Sequence, residues 1–376
     1  MIIGVDASRA TSGGAQILLW ELFNDFTAGD FGTSEIQLWV SSPVAVPPVN
    51  SGVVVRRVPG PQKPMISALW WQAFKLPKEA SKSGCDVLVS MESATPARFS
   101  QHVVVLQDVL AYEAREWLRA GFPRGVLRQL ALRMLHSKAL RGASLAIAPT
   151  HYAGMLARKK FSMTNFAVLE PRPLTSTSRS ELHGKSLPLT AVYVSHGANY
   201  KNHKNLLIAL TILRDSSLEV RLKFVGSFTA TQKNALYRQM SKLRIPLDRV
   251  DFAGELGAER VALEVEKSDF VLFASRAESL SYSLLEAIRS GRPIACSASS
   301  ALPEVLRRDG VYFDANNPVS IANACRMVAV DLQSHQGASV ISNAEDSKAR
   351  GLRIRSDFFA AISDLLAKDS SGTEAP

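Results

Sequence analysis

The chain is poor in the residues that staple small domains. It has three cysteines in 376 residues, Cys85, Cys296 and Cys325, odd in number, far apart and without a Cys-x-x-Cys pair. That excludes a disulfide framework and a thiolate zinc site, and points to reduced core residues in a cytosolic protein. The seven histidines show no metal-ligand spacing. No run approaches the ~18 uninterrupted apolar residues of a membrane-crossing helix. The opening Met1-Ile-Ile-Gly-Val-Asp6 reads as a first strand, without a basic segment and long apolar run, so no signal peptide is expected and the location is cytoplasmic. Acidic residues are outnumbered, 34 against 44 Lys and Arg, for a net charge of +10. Such a surplus asks for an anionic partner: nucleotide phosphates, nucleic acid or an anionic lipid surface. No zinc finger, basic zipper or RNA-binding signature is present, which argues against nucleic acid.

What is there is a regular alternation. Hydrophobic residues make up 46% of the chain, and its length suggests two domains. Short apolar strands are expected at Ile2–Val5, Ile36–Val40, Val53–Val58, Val87–Ser90, Val103–Leu106 and Leu145–Ala148, then at Thr190–Val194, Arg221–Val225, Val250–Ala253, Phe270–Ala274, Pro293–Cys296 and Val311–Phe313. Helical patterns fall between them at Ala15–Asp25, Leu69–Lys82, Arg124–Leu140, Asn205–Arg214, Ala230–Lys242 and Glu259–Lys267. This is an α/β arrangement of doubly wound parallel sheets. A Pro/Ser/Thr-rich stretch marks a linker at 173–188, between an N-terminal domain at 1–172 and a C-terminal domain at 189–348. Residues 349–367 suit a C-terminal helix packing back on the first domain, and 368–376 a disordered tail.

The densest chemistry lies in Arg276-Ala-Glu-Ser-Leu-Ser-Tyr-Ser-Leu-Leu-Glu286, where seven residues separate Glu278 from Glu286. A strand precedes it, and a helix stopped by Gly291 and Pro293 follows. A loop feeding a helix start offers free N–H groups and a positive dipole end, a site for phosphate. Two carboxylates beside it accept hydrogen bonds from hydroxyls, which suits a nucleotide sugar. The structural alternative is a capping box in which Ser283 caps the helix and Glu286, in the first turn, reaches back.

Other strand ends carry weaker signals. Thr11-Ser-Gly13-Gly14 opens a helix after the first strand; it is either a phosphate loop or a plain tight turn. His196 through Lys201-Asn-His-Lys204 precedes another helix and offers a phosphate cation or a solvated loop edge. Gln107-Asp108 ends a further strand, where Asp108 either faces a ligand or caps a turn. Lys63–Lys82, with Trp70, Trp71 and Phe74, and Glu113–Arg141, with Trp117 and Phe122, mix basic and large apolar residues. They are either core-facing helices with solvated cations or a face that lies on an anionic membrane.

Taken in order, these segments resemble the retaining glycosyltransferases of family 4, with the GT-B fold of two facing Rossmann-like doubly wound domains and an interdomain cleft. The matching residues are Tyr193-Val-Ser-His…Lys201-Asn, Val250-Asp-Phe-Ala-Gly254, Ala274-Ser…Glu278-Ser-Leu-Ser281…Leu285-Glu-Ala287, Gly291-Arg-Pro293, Leu302-Pro-Glu304 and Val311-Tyr-Phe-Asp314. The resemblance implies a metal-independent hexosyltransferase using a nucleotide diphosphate sugar, a GDP- or UDP-sugar first, and no cofactor. It implies that Glu286 holds the ribose, Glu278 meets the transferred sugar, and the Ser279–Leu280–Ser281 backbone approaches sugar and diphosphate. Lys201 neutralises the leaving diphosphate, with His196 beside it. Gly13 and Gly14 close over the diphosphate, Glu255 and Leu256 flank the base, and Asp108 touches acceptor or sugar. The acceptor implied is a lipid-linked glycan in lipopolysaccharide O-antigen or exopolysaccharide assembly, which puts the protein at the inner face of the plasma membrane. The chain departs from the family at His196, where Arg is usual, at Gln107, where His is usual, and at Glu278-Ser-Leu-Ser281, where Glu-Gly-Phe-Gly is usual. Those departures keep a non-catalytic binding module of the same fold as a rival, beside a nucleotide-sugar epimerase.

Overall fold

The computed structural model describes residues 1–11, 13–42, 44–58, 65–113, 116, 119, 124–161, 163, 165–173, 188–333 and 347–371. Nearly all of the expected linker, together with Ser12, Lys63, Trp117 and Phe122, lies outside them. The chain forms two compact units, Met1–Pro171 with Ser347–Pro376, and Arg172–Asp346.

The first unit holds β1 (Ile2–Ala7), α1 (Gly13–Phe23), β2 (Glu35–Ser41), β3 (Val53–Val58), α2 (Met65–Phe74), α3 (Leu76–Lys82), β4 (Val87–Ser90), β5 (His102–Val105), α4 (Arg124–Arg141), β6 (Leu145–Ala148), α5 (His151–Phe161) and β7 (Phe166–Val168). Its seven strands are ordered β3-β2-β1-β4-β5-β6-β7, and every pairing is parallel. The second unit runs β8 (Leu189–Val194), α6 (His203–Asp215), β9 (Val220–Val225), α7 (Ala230–Lys242), β10 (Val250–Gly254), α8 (Ala258–Lys267), β11 (Phe270–Phe273), α9 (Tyr282–Arg289), β12 (Ile294–Ser297), α10 (Leu302–Leu306), β13 (Val311–Phe313) and α11 (Pro318–Gln333). Its six parallel strands are ordered β10-β9-β8-β11-β12-β13.

Strands covered on both faces must be apolar on both. Phe270-Val-Leu-Phe273 is buried at every position, as are β4, β5, β6 and β12. In the first unit the pleat sorts side chains between the two faces. Ile3, Val5, Val87, Val89, Val103 and Val105 join one core with α1, while Leu88 packs with Trp39, Trp71 and Leu76, and Val104 with Leu140 and Phe161. The helices α2 to α5 therefore cover the face opposite α1.

Two expectations need correction. The helical pattern at Leu69–Lys82 is two helices, broken at Lys75, because the Pro77 ring has no N–H and clashes with the carbonyl four residues back. The helix α12 (Ser347–Ser371) runs on past Lys368, where an irregular tail was expected to begin, and the remainder of that tail, 372–376, lies outside the described residues. Strand β7 and helix α5 carry no strong periodic signal and were not expected.

Helix α12 belongs to the first unit. Ile354, Phe358, Phe359 and Ile362 enter the α1 core, and the Phe358 ring meets Phe23 edge-on at 6.5 Å. Arg350 pairs with Glu21, and Arg355 Nη1 donates to the Asn24 carbonyl at 2.6 Å. At roughly 1.5–3 kcal/mol per large apolar side chain, removing those four costs about as much as a whole domain's net stability of ~5–15 kcal/mol. Truncation after Asp346 is expected to abolish the first unit's cooperative unfolding transition and leave the second unit's in place, as read by calorimetry.

Three histidines are buried neutral. His102 accepts or donates at Ser90 Oγ (3.0 Å), His136 at Ser93 Oγ (3.1 Å) and His203 at Ser195 Oγ (2.9 Å). Burial pushes their pKa values down, to about 4, about 4 and about 3. The unfolded chain therefore binds protons that the native state refuses, from about pH 6.5 down to the folded values. Stability is fully present above pH 6.5 and falls with acidification by about 1.4 kcal/mol per pH unit per histidine. Denaturant titrations between pH 7 and pH 4 test this, and His203→Gln is expected to flatten the slope by one histidine's share.

Candidate functional site

Both sheets reverse their winding once. In the second unit the strand order runs outward from β8 through β9 to β10 on one side, and from β11 through β12 to β13 on the other. The crevice at such a switch point, at the carboxyl ends of the strands, is where open α/β sheets take ligands. The loop after β8 supplies Ser195 to Asn202, and the loop after β11 supplies Ala274 to Ser281.

Lys201 and Glu278 meet across this switch point. Lys201 Nζ donates to Glu278 Oε1 at 2.5 Å, and the residues are only 6% and 9% exposed. Lys201 also lies 5.2 Å from the Tyr200 ring centroid and 5.9 Å from that of Phe273. Two charges this dry persist only because each neutralises the other. Hydrogen bonds brace the scaffold around them. Arg276 Nη1 donates to Asn202 Oδ1 (2.5 Å) and Nη2 to the Asn199 carbonyl (2.9 Å), while the Arg276 N–H donates to the Tyr200 carbonyl (2.9 Å). Asn202, at φ 65°, starts α6 and donates to the Ala315 carbonyl at 2.6 Å. Ser300 Oγ accepts from the Glu278 N–H (3.0 Å) and donates to the Glu278 carbonyl (2.7 Å). The Glu278 backbone is thereby pinned from β12's loop.

The sequence-derived residues fall into four places. Ser279 and Ser281 are buried beside Glu278, with Leu280 half-buried. His196 lies at the surface of the same loop as Lys201; its Nδ1 accepts from the Ala198 N–H (3.3 Å) and its Nε2 faces Tyr200 Oη (3.1 Å). Desolvation, then the Lys201 charge, lowers its pKa, which favours the neutral imidazole. Glu255 is exposed and Leu256 half-buried after β10, at the sheet edge away from Glu278. Gly13, Gly14 and Asp108 belong to the first unit: Gly13 starts α1 at φ +64° with open space where a Cβ would stand, and Asp108 Oδ1 accepts from the Leu110 N–H at 2.7 Å, closing a turn.

Glu286 differs from its expected setting. The N-cap of α9 is Ser281, whose Oγ accepts from the Leu284 N–H at 3.3 Å. Ser283 is already helical, so no capping box joins it to Glu286, which stands in the second turn, exposed, with Arg289 at 3.5 Å. The carboxylate is left on the surface of α9, open to a ligand's hydroxyls.

The first unit has a pair of its own, which no motif singles out. Its winding reverses between β1 and β4, and there Arg9 Nη2 pairs with Glu92 at 3.2 Å while Nη1 donates to the Ala94 carbonyl at 2.6 Å. Buried Asp6 stands beside them, accepting from Ser8 Oγ (2.6 Å) and Gln72 Nε2 (2.7 Å). Burial pushes the Glu92 carboxyl up to about 6, against the pull of Arg9, and the charges of Asp6 and Asp108 add to the rise. No motif flags these residues; only the strand order brings them together.

Residues 188–331 match the family model of group 1 glycosyl transferases, a span that includes Lys201, Glu278 and Glu286. Among curated proteins no sequence matches significantly. Among solved structures the chain is similar to sucrose-phosphate synthase from Thermosynechococcus elongatus, with TM-score 0.71, 13% identity and 100% of each chain covered. It is similar to HepE (Alr3699) of Anabaena in complex with UDP and glucose, with TM-score 0.63, 17% identity, and 96% of this chain and 99% of that one covered. The lipopolysaccharide outer core galactosyltransferase WaaB aligns with TM-score 0.65 at 11% identity, over 98% of this chain and 99% of that one. At such identities the likeness is one of fold, and the fold is GT-B.

Removing one partner of the buried pair strands the other. Lys201→Ala is expected to destabilise the second unit by about 3–5 kcal/mol, whereas Lys201→Met with Glu278→Leu recovers most of that loss. Chemical denaturation followed by circular dichroism distinguishes the two.

Proposed function

We propose that the protein is a retaining glycosyltransferase that moves a hexose from a nucleotide diphosphate sugar to an acceptor hydroxyl. The observation that carries this reading is the buried Lys201–Glu278 pair at the switch point of the unit that matches group 1 glycosyl transferases. Transfer breaks the bond between the sugar's anomeric carbon and the diphosphate oxygen, so negative charge grows on the diphosphate. A preorganised cation there lowers the barrier, because the cost of orienting it is met in folding. Lys201 is that cation. It is held by Glu278 in the free protein and is within reach of a phosphate that enters the β8 loop.

The other roles follow from position. Glu278 accepts from sugar hydroxyls with the oxygen that Lys201 leaves free. The N–H groups of the Ser279–Ser281 turn and the start of α9 face an anion. Exposed Glu286 accepts from the ribose hydroxyls, and Glu255 with Leu256 flanks the base. His196, neutral, donates one hydrogen bond to a phosphate oxygen but adds no charge. The departing phosphate takes the acceptor's proton as the new glycosidic bond forms on the face it leaves, which retains configuration without a protein nucleophile. Asp108 serves the acceptor or the sugar, and Gly13 and Gly14 serve the diphosphate. The donor is a UDP- or GDP-sugar, and the acceptor a lipid-linked glycan of a bacterial surface polysaccharide. HepE's complex with UDP and glucose supports the first choice, and WaaB's role in the lipopolysaccharide outer core supports the second.

One observation favours a rival, a donor-binding module without turnover: His196 supplies no second positive charge to the leaving group. A thermal-shift panel of UDP-, GDP-, ADP- and TDP-sugars separates the readings. One donor at a hundred times its Kd is expected to add about 2.7 kcal/mol of stability, and Glu286→Ala to remove the shift. A shift without sugar release in the presence of glycan acceptors leaves the module reading. No shift with any donor overturns both.

A further inference from the structure

The first unit distributes its charge and its exposed apolar surface unevenly. One face of its sheet is covered by α1 and α12, and α12 carries Asp357, Asp364 and Asp369 among its basic residues. The opposite face is covered by α2 to α5. There α2, α4 and α5 contain no aspartate or glutamate at all. The single acid of α3, Glu79, is turned inward to accept from Trp39 Nε1 at 3.0 Å.

On this face two of the helices without acids hold large apolar side chains in solvent. Ile66, Trp70 and Phe74 follow one another a helical turn apart on α2 and are 78%, 53% and 58% exposed, while the neighbouring Trp71 is buried in the core. The Trp70 and Phe74 rings lie 5.8 Å apart, and Lys75 Nζ sits 5.7 Å from the Trp70 ring centroid. On α4 the stripe is Leu127, Leu130 and Met134, all exposed. Beside it lies a cavity of about 1060 Å³ lined by Arg98, Arg133, Lys138, Arg141 and Lys160 against Phe99 and Phe161, with no carboxylate in its wall. The C-terminal turn of α5 adds Arg158 and Lys159.

We propose that this face of the first unit, α2 and α4 with the cations of α5, docks on an anionic lipid bilayer. Exposed apolar side chains enter the boundary between headgroups and acyl chains, an indole suits that boundary, and Lys and Arg reach back to lipid phosphates. The charge rules out easier occupants. A second copy would set one positive face against another. Nucleic acid would satisfy the cations but leave Ile66, Phe74 and Met134 against phosphates. The inference stands apart from the transfer reaction, because it uses no residue of the Lys201–Glu278 site.

Flotation of the full chain with phosphatidylcholine vesicles, and with vesicles in which about one-third of the lipid is phosphatidylglycerol, tests it. The protein is expected to float with the anionic vesicles only, with a blue shift of tryptophan emission as Trp70 leaves water. It is expected to be released near 1 M salt, where the Debye length shrinks to about 3 Å. Arg133→Glu with Lys138→Glu is expected to lower partitioning at least about tenfold. Trp70→Ser with Met134→Ser is expected to abolish the emission shift and weaken binding. Leu352→Ser, on the opposite face, binds as the native chain does. The variants alter exposed side chains apart from half-buried Arg133, and unchanged melting temperatures without lipid verify that they fold. Equal recovery on neutral and anionic vesicles overturns the proposal, as does native-like binding by both face variants. So does heparin retention without vesicle binding, which identifies a nucleic-acid-like polyanion, or a dimer lost in Trp70→Ser without vesicle binding, which identifies a second copy. No turnover is measured, so failure here leaves the proposed reaction standing.

Discussion

Parallel strands are the constraint on which this molecule is built. A sheet of parallel strands has every carboxyl end on one edge, and it must be covered on both faces. Covering both faces forces the winding to reverse, and the reversal leaves a crevice that no crossover connection fills. In the second unit that crevice holds Lys201 and Glu278. In the first it holds Arg9 and Glu92. The same topological accident, used twice, sets a cation against a carboxylate at the place where backbone N–H groups and helix starts already favour an anion.

The two pairs differ in how firmly they are held. Lys201 and Glu278 are dry, braced by Arg276, Asn202 and Ser300, and cannot separate without another partner for each. A ligand with phosphate and hydroxyl groups supplies both replacements together: oxygens for the ammonium and O–H donors for the carboxylate. A ligand with only one of them leaves a buried charge unanswered. Arg9 and Glu92 are wetter, and the raised Glu92 pKa leaves that carboxyl near its titration range at neutral pH.

Much of this architecture was legible in the residues. Short apolar stretches marked twelve of the thirteen strands among the described residues, even the largely exposed β3; β7, three half-buried residues, was not marked. Lys201 and Glu278 were found because each follows a strand and precedes a helix. Their pairing was not legible, since 77 residues separate them and only the strand order makes them neighbours. Arg9 and Glu92 were missed for the same reason. The cap of α9 was misplaced by two residues because Ser281 and Ser283 are chemically equivalent candidates, and only the extended backbone at Ser281 decides between them. The break at Lys75 was hidden by an apolar pattern that continues across it, though Pro77 stood in plain view.

Helix α12 gives the chain an order of assembly. The first unit begins at Met1 but is completed by residues beyond Ser347, so the second unit is an insertion within it. On a ribosome the inserted unit emerges whole, and can close its core, while the α1 face of the first sheet still lacks its cover. Phe23, Phe26 and their neighbours wait for Phe358 and Phe359. Synthesis of α12 is therefore the event that seals the first unit, and a chain released before it carries a finished second unit joined to an open, adhesive sheet.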